Sequence, residues 1–501
     1  TEYTFTVTAV DNDGNASSAE QITATPQGPR VRLGANNVFY TEGSTLEMPQ
    51  LDDDNLTSTF DLTLRNEGAA PLTFSSISLG GTDGVDDTSA GVGKIHWAST
   101  PDTSELAPES ERTLSVRVSA DESYVSANSG TTLDAHVTVT SNDPDPERAE
   151  FVLNLQAAVQ STTIIVTNAN ADGSGSLAQA LNDVPDGGTI TFDAAYTIEP
   201  ANQMTIGKNV TIDGSPHGIA IDMATANQRH FEIDGTSSSW IDVTLRNLEL
   251  RNGAGRDQNG EAFVGGAIRA TYARLTLDNV TVRDSSTARD TAVAPWMRTG
   301  GGVQVQNGEL TVRNNSRFIN NTSDTWGGAI AVINGTLQVD NATFTNNTAA
   351  ASAADSTQTG DNWGGGAIHV HRGTTATIRD SHFEGNKADG ALDAGDGGAI
   401  DSSGTLTIVN STFVRNSAEG AGGAIEAADF DGVENNLTIV ASQFHGNTAG
   451  TDATAETDAQ AGGGAISYHG ANDAEELLVS SSTFVGNNAP IADAIDAAGD
   501  T

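Results

Sequence analysis

Asp401, Glu426 and His369 come closest in this chain to a catalytic set. Each directly follows the isoleucine of a Gly-Gly-Ala-Ile segment, after Ile400, Ile425 and Ile368. If those segments are successive turns of a coil, the two carboxylates lie one strand apart. That is near the ~5 Å separation of a retaining glycosidase pair. His369 is beside them and His371 follows two residues on. A lyase would instead need a basic residue next to calcium-holding acids, and Arg372 is the candidate at hand. The competing reading is a solvated strand face of a very acidic protein, where two neighbouring acids are expected by chance.

Three tryptophans, Trp296, Trp326 and Trp363, fall in the stretches between repeats. Aromatic faces in loops can stack on sugar rings, with Asp324 and Asp361 accepting from sugar hydroxyls. The same rings could fold back over the edge of the coil, and the sequence leaves both open. Asp389, Asp393 and Asp396 share one glycine-rich loop, and Asp452, Glu456 and Asp458 another. With backbone carbonyls such loops could hold Ca2+, the one cofactor the sequence suggests; a solvated charge run is the default. Thr244, Thr276, Thr311, Thr377, Thr407 and Thr438 form a threonine column broken by Gln338. It is one residue wide, too narrow for an ice-matching face.

A repeated scaffold must position these residues. Phe-x-x-Asn recurs at Phe318/Asn321, Phe344/Asn347, Phe383/Asn386, Phe413/Asn416, Phe444/Asn447 and Phe484/Asn487, with Val282/Ser285 as a degenerate copy. Gly-Gly-Ala-Ile recurs from Gly265 to Ile466, with Gly301-Gly302-Val303 as a weaker copy. Spacing between successive copies runs from 25 residues (Ile400 to Ile425) to 41 (Ile425 to Ile466), the length of one rung of a parallel β-helix once loops are allowed. Most of the variation falls after the Asn, so one corner takes the insertions. The repeats predict a buried Phe column, an Asn amide ladder at the turn and a Gly-Gly corner. A partial second ladder is expected at Asn279, Asn314, Asn341, Asp380 and Asn410. Asn341-Ala342-Thr343 and Asn436-Leu437-Thr438 are formal glycosylation sequons, but ladder asparagines read as structural.

The chain has 66 acidic and 23 basic residues, a net charge of -43, and its lysines are Lys94, Lys208 and Lys387. This balance argues against nucleic acid or anionic membrane as a partner. It suits a salty exterior, where charge is screened, and equally an ordinary calcium-rich secreted setting. There is no cysteine, so burial and hydrogen bonds carry stability. No apolar run approaches the ~20 residues of a membrane span.

Three regions are expected. In 1–28, Tyr3, Phe5 and Val7 alternate before the turn Asp11-Asn12-Asp13-Gly14-Asn15, and the stretch resembles the last two strands of a fibronectin type III domain. It reads as part of a longer secreted polypeptide. In 29–160, Phe60/Leu62/Leu64, Leu114/Val116/Val118, Ala135/Val137/Val139 and Phe151/Leu153/Leu155 alternate like strands of a β-sandwich. The segments 66–79 and 140–147 resemble immunoglobulin-like spacers of bacterial surface proteins, of the choice-of-anchor and Hydin-like kind. Asp52-Asp53-Asp54 reads as a solvated loop tip. In 161–501, Ser176-Leu177-Ala178-Gln179-Ala180-Leu181 predicts a helix capping the first edge of a right-handed parallel β-helix, with a strand at Thr189–Phe192.

The paired Gly-Gly-Ala-Ile and Phe-x-x-Asn motifs resemble polymorphic outer-membrane protein repeats and choice-of-anchor β-helix proteins. The resemblance implies a secreted or cell-surface, often adhesive, protein and carries no catalytic motif. The expected function is therefore structural or adhesive, with surface glycans or other copies of the chain as partners. The alternative is a polysaccharide-binding or polysaccharide-degrading β-helix. Head-to-tail assembly through end strands is a third idea.

Overall fold

The computed structural model describes residues 3–8, 20–24, 28–53, 55–88, 91–225, 228–255, 264–287, 298–350, 364–389, 395–428, 435–450, 462–470, 476–490 and 492–499. The chain divides into two units, 1–163 and 164–501. The turn Asp11–Asn15 lies outside the described residues.

In the first unit, Tyr3–Val7 pairs antiparallel with Glu20–Ala24, placing Phe5 opposite Ile22. A six-stranded and a four-stranded sheet follow. Thr57–Asn66 pairs with Glu111–Ser119, Leu62 opposite Leu114, and Thr131–Ser141 pairs with Glu150–Val159, Val137 opposite Leu153. The inward members of each alternating run share one buried core, with Phe60 partly buried against it. This is a two-sheet sandwich, as period-two alternation requires. Asp53 does not point freely into water. Its Oδ2 accepts from Ser161 Oγ, Thr162 Oγ1 and the Thr163 amide at 2.8, 2.9 and 2.9 Å.

The second unit is a parallel β-helix. Its strands stack into sheets of eleven, ten, ten and five members, joined by parallel pairings. One rung shows the plan: Ile330–Ile333, Thr336–Asp340, Thr343–Thr345 and the short Thr348–Ala349. The predicted helix forms over Leu177–Asp183. Ser176 Oγ caps the Gln179 amide at 3.1 Å, and Leu177, Ala180 and Leu181 enter the coil's core. Gly188–Phe192 is a strand in the first rungs.

The Phe column is present. Rings from Phe318 to Phe484 stack with centroids 4.7–4.9 Å apart and planes within 5°. Val282 occupies the same register one rung earlier. At the turn, the ladder amides are paired on both sides. Asn386 Nδ2 donates to Asn416 Oδ1 at 2.9 Å and to the Phe344 carbonyl at 3.0 Å. Its Oδ1 accepts from Asn347 Nδ2 and the Asn347 amide at 2.9 and 3.0 Å. Asn447 repeats this two rungs on. Its Nδ2 donates to Asn487 Oδ1 at 2.9 Å and to the Phe413 carbonyl at 3.1 Å, and its Oδ1 accepts from Asn416 Nδ2 at 3.0 Å. Ser285 starts the ladder, its amide donating to Asn321 Oδ1.

The expected second ladder at Asn279, Asn314, Asn341, Asp380 and Asn410 is partial: Asn410 Nδ2 donates to Asp380 Oδ1, and Asn279 Nδ2 donates to Asn247 Oδ1 at 2.9 Å. These residues are left-handed corners, with φ between 49 and 57°, which Asn and Asp tolerate better than most. A more regular ladder lies one step closer to the Phe and is made of serine. The amides of Ala342, Ser381, Ser411 and Ser442 donate to Ser381, Ser411, Ser442 and Ser482 Oγ at 3.1–3.2 Å.

The Gly-Gly corner needs both glycines, for different reasons. Gly327 has φ +62, and a Cβ on Gly328 would lie 2.1 Å from the Gly366 carbonyl oxygen of the next rung. Outward charges are also arranged by register. Asp213, Arg246, Asp278 and Arg313 occupy successive rungs, and Arg313 lies 3.0 Å from Asp278. In-register stacking about 4.8 Å apart would set like charges against each other; alternation avoids this.

Candidate functional site

The Gly-Gly corner aligns the outward residues of the following strand. Ala331, His369, Asp401, Glu426 and Ser467 occupy one register column, as the spacing predicts. Their environment is not the expected solvent-facing strand. His369 is 3% exposed, Asp401 2% and Glu426 0%. The column is covered.

Trp326 is part of that cover. It is 6% exposed and stacks on the His369 ring at 4.9 Å and 12°. His371 completes the group, 6.0 Å from Trp326 and 5.9 Å from His369. Trp326 is thus an interior cover rather than an open sugar platform. Asp324, expected to accept from sugar hydroxyls, is bound by the fully buried Arg298 at 2.8 Å. Trp296, Trp363 and Asp361 lie outside the described residues.

His369 Nδ1 lies 2.7 Å from Asp401 Oδ2, while its Nε2 has no hydrogen-bond partner among the described residues. A carboxylate on one ring nitrogen orients the imidazole and fixes its tautomer. The same arrangement could orient a base, but here it is closed by Trp326. Burial pushes the neighbouring His371 down to about 4, helped by the nearby His369 ring.

The repeated residues themselves offer nothing to a ligand. Phe344, Phe383, Phe413 and Phe444 are buried, as are Asn347, Asn386, Asn416 and Asn447. Asn447, like the ladder residues before it, spends its amide on the neighbouring rungs. These positions are scaffold and lie outside any binding surface.

The aspartates proposed for Ca2+ do not converge where they are described. Asp389 pairs with Lys387 at 3.0 Å. Asp396 is buried, its Oδ1 accepting from the Ala421 amide at 2.7 Å. Asp393, Asp452, Glu456 and Asp458 lie outside the described residues. Among the described residues, no group of three or more His, Cys, Asp or Glu side chains is placed to hold a metal.

The threonine column is in register and extends back through Thr211 to Thr189. It is interrupted at Gln338 and ends against Leu478.

Sequence reasoning missed a groove of about 660 Å³ on the Phe-bearing sheet, in rungs that precede the first Phe. Its floor is the outward column Thr197, Ala220, Glu249 and Thr281, and its walls include Tyr196 and the Pro216-His217 loop. No repeat signals it, because most of its lining belongs to rungs that lack the repeated motifs.

The Chlamydia polymorphic membrane protein (Chlamydia_PMP) repeat matches residues 315–332 and 341–371. The second unit is thus a β-helix with repeats of this kind. No curated protein matches the chain. Among solved structures, it is similar to a protein of unknown function from Porphyromonas gingivalis, with 17% identity and a TM-score of 0.19, covering 32% of this chain and 64% of that one. It thus spans slightly less than two thirds of that protein. It is also similar to jun a 1, the major allergen from cedar pollen, with 13% identity and a TM-score of 0.33 over 67% of this chain and 80% of that one. A third is the catalytic domain of an alpha-1,3-glucanase in complex with nigerose, with 8% identity and a TM-score of 0.19 over 90% and 100%. Among the described residues no helix is long and apolar enough to cross a membrane.

Proposed function

We propose that this chain is an extracellular, cell-surface protein in which the β-helix is presented for adhesion or surface assembly. The sandwich is read as an immunoglobulin-like spacer and the first strand pair as the end of a fibronectin type III-like module. One observation carries the reading: the carboxylates best spaced for glycosidic chemistry, Asp401 and Glu426, are 2% and 0% exposed. A polymer cannot pass between them. The polymorphic membrane protein repeat match supports a surface role.

The partners proposed are surface glycans or further copies of the chain, in a secreted and salty setting where Ca2+ is available. Incubating the full chain with neutral and acidic polysaccharides tests the reading against the enzymatic one. The expected result is retention on a glycan-coated or cellular surface with no new reducing ends. Product formation that disappears in Asp401→Asn would establish the degrading alternative instead.

A further inference from the structure

The groove over Ala220 and Glu249 is separate from the buried His369 column. It is built from three features. The floor dips where Ala220, the smallest outward residue, lies between Thr197 and Glu249. One wall is the Tyr196 ring, held by a 2.5 Å hydrogen bond from its hydroxyl to Asp193 Oδ1. The other is the turn carrying Pro216 and His217, anchored by Asp213 Oδ1, which accepts from the Ser215 amide and Asn247 Nδ2 at 2.9 and 3.0 Å.

Its charges cancel in pairs. Arg251 Nε donates to Asp222 Oδ2 at 2.8 Å, and Arg283 Nη2 lies 2.8 Å from Glu249 Oε1. The ion pairs of Glu249 all run through Oε1, which leaves Oε2 as an acceptor on a residue that lines the groove. Asn279 Nδ2 is committed to Asn247 Oδ1 at 2.9 Å, which leaves its own carbonyl oxygen as a second acceptor. A polyanion would meet a chain of net charge -43 and no uncompensated cation. A peptide strand would find no open sheet edge, because the groove lies on the outward face of paired strands.

We propose that this groove binds a neutral oligosaccharide. Hydroxyl hydrogens meet Glu249 Oε2 and the Asn279 carbonyl oxygen, and an apolar sugar face packs on Tyr196 and Pro216. The groove falls in the ~300–1,000 Å³ range of ligand pockets, and rungs about 4.8 Å apart suit successive sugar units. The assignment rests on the adhesive reading above and names its ligand class.

The test uses the full chain on an array of neutral gluco-, manno- and galacto-oligosaccharides, with polygalacturonate as the charged comparison. The wild type is expected to be retained on a neutral glycan. Ala220→Trp fills the floor and should weaken that binding by about tenfold or more, with unchanged circular dichroism and thermal midpoint. Tyr196→Ala should weaken it by a smaller factor and serves as the second variant if Ala220→Trp misfolds. Equal binding by well-folded Ala220→Trp, or selective retention on polygalacturonate, overturns the groove assignment. If cells or surfaces still retain the Ala220→Trp chain, the adhesive reading stands and only the groove fails. If the wild type is retained on no glycan and no surface, both fail.

Discussion

His369 Nδ1 and Asp401 Oδ2 approach to 2.7 Å across one rung of the coil, with both side chains buried. The pair therefore acts as a tie between rungs. Deleting one partner of a buried hydrogen bond leaves the other unsatisfied and costs about 1–3 kcal/mol, more for a charged group. Asp401→Ala should therefore lower the denaturation midpoint of the coil markedly. Asp401→Asn keeps an acceptor oxygen for the His369 ring and should cost less than Asp401→Ala. Urea titrations followed by circular dichroism would rank the two. An Asp401→Ala chain as stable as wild type would contradict the structural role.

The Phe column makes a graded prediction. Phe383 sits between stacked rings on both sides, whereas Phe484 has a described ring on one side only. Phe383→Ala empties a fully buried site and should cost about 3–5 kcal/mol. Phe484→Ala should cost visibly less, since its ring is only partly buried. Limited proteolysis of the two variants, with cleavage sites mapped by mass spectrometry, would show opening centred on the substituted rung.

Much of this scaffold is legible before any coordinates, and the reason is periodicity. Phe383 and Asn386 each have counterparts in neighbouring rungs, as do Phe444 and Asn447, so a buried column and an amide ladder follow from in-register stacking. The serine ladder was equally available, because Ser381-His382-Phe383 and Ser411-Thr412-Phe413 share the same spacing. Serine is common enough in strands and turns that its spacing stands out less than that of the Asn corners. Burial of Asp401 and Glu426 was not legible. Alternation says that a side chain points away from the core, not whether it is then covered from outside. Nor was the groove at Ala220, which is formed mostly by rungs without repeats.

The ladder tolerates no change of chemistry. Asn386→Asp keeps the size but replaces the two N–H donors of Nδ2 with one acceptor oxygen, which then faces Asn416 Oδ1 and the Phe344 carbonyl. Unsatisfied buried acceptors cost about 1–3 kcal/mol each, and more when charged. The expected outcome is a strongly destabilised coil above the carboxyl pKa, with partial recovery in acid as the carboxyl regains a proton to donate. A chain that melts identically to wild type at neutral pH would remove the ladder from the account of stability.

The left-handed corners offer the opposite, a stabilising change. Ala441 holds φ +52 at the position where neighbouring rungs use Asn410 and Asp380. A left-handed conformation costs an L-residue about 1–2 kcal/mol, and glycine escapes it. Ala441→Gly should therefore raise stability by about 1 kcal/mol after the extra freedom of glycine in the unfolded chain is counted. The residue is exposed, so no core packing is lost. A lowered melting midpoint would mean that this corner is set by something other than backbone strain.

His230 supplies the pH dependence. The ring is fully buried, Nε2 lies 2.9 Å from the Ile221 carbonyl oxygen, and burial pushes its pKa down to about 4, opposed by hydrogen bonds to the backbone. In the unfolded chain the same group titrates near ~6.5. Between those values the unfolded state binds the extra proton, so unfolding becomes more favourable as pH falls. The contribution is fully present above about 6.5 and is lost progressively down to about 4. His230→Gln should be less stable than wild type at pH ~7, where the native ring is neutral and packed. Its melting midpoint should change less with pH across that window. Parallel slopes for the two chains would assign the acid sensitivity to other groups, with His371, also held down near 4 by burial, the next to substitute.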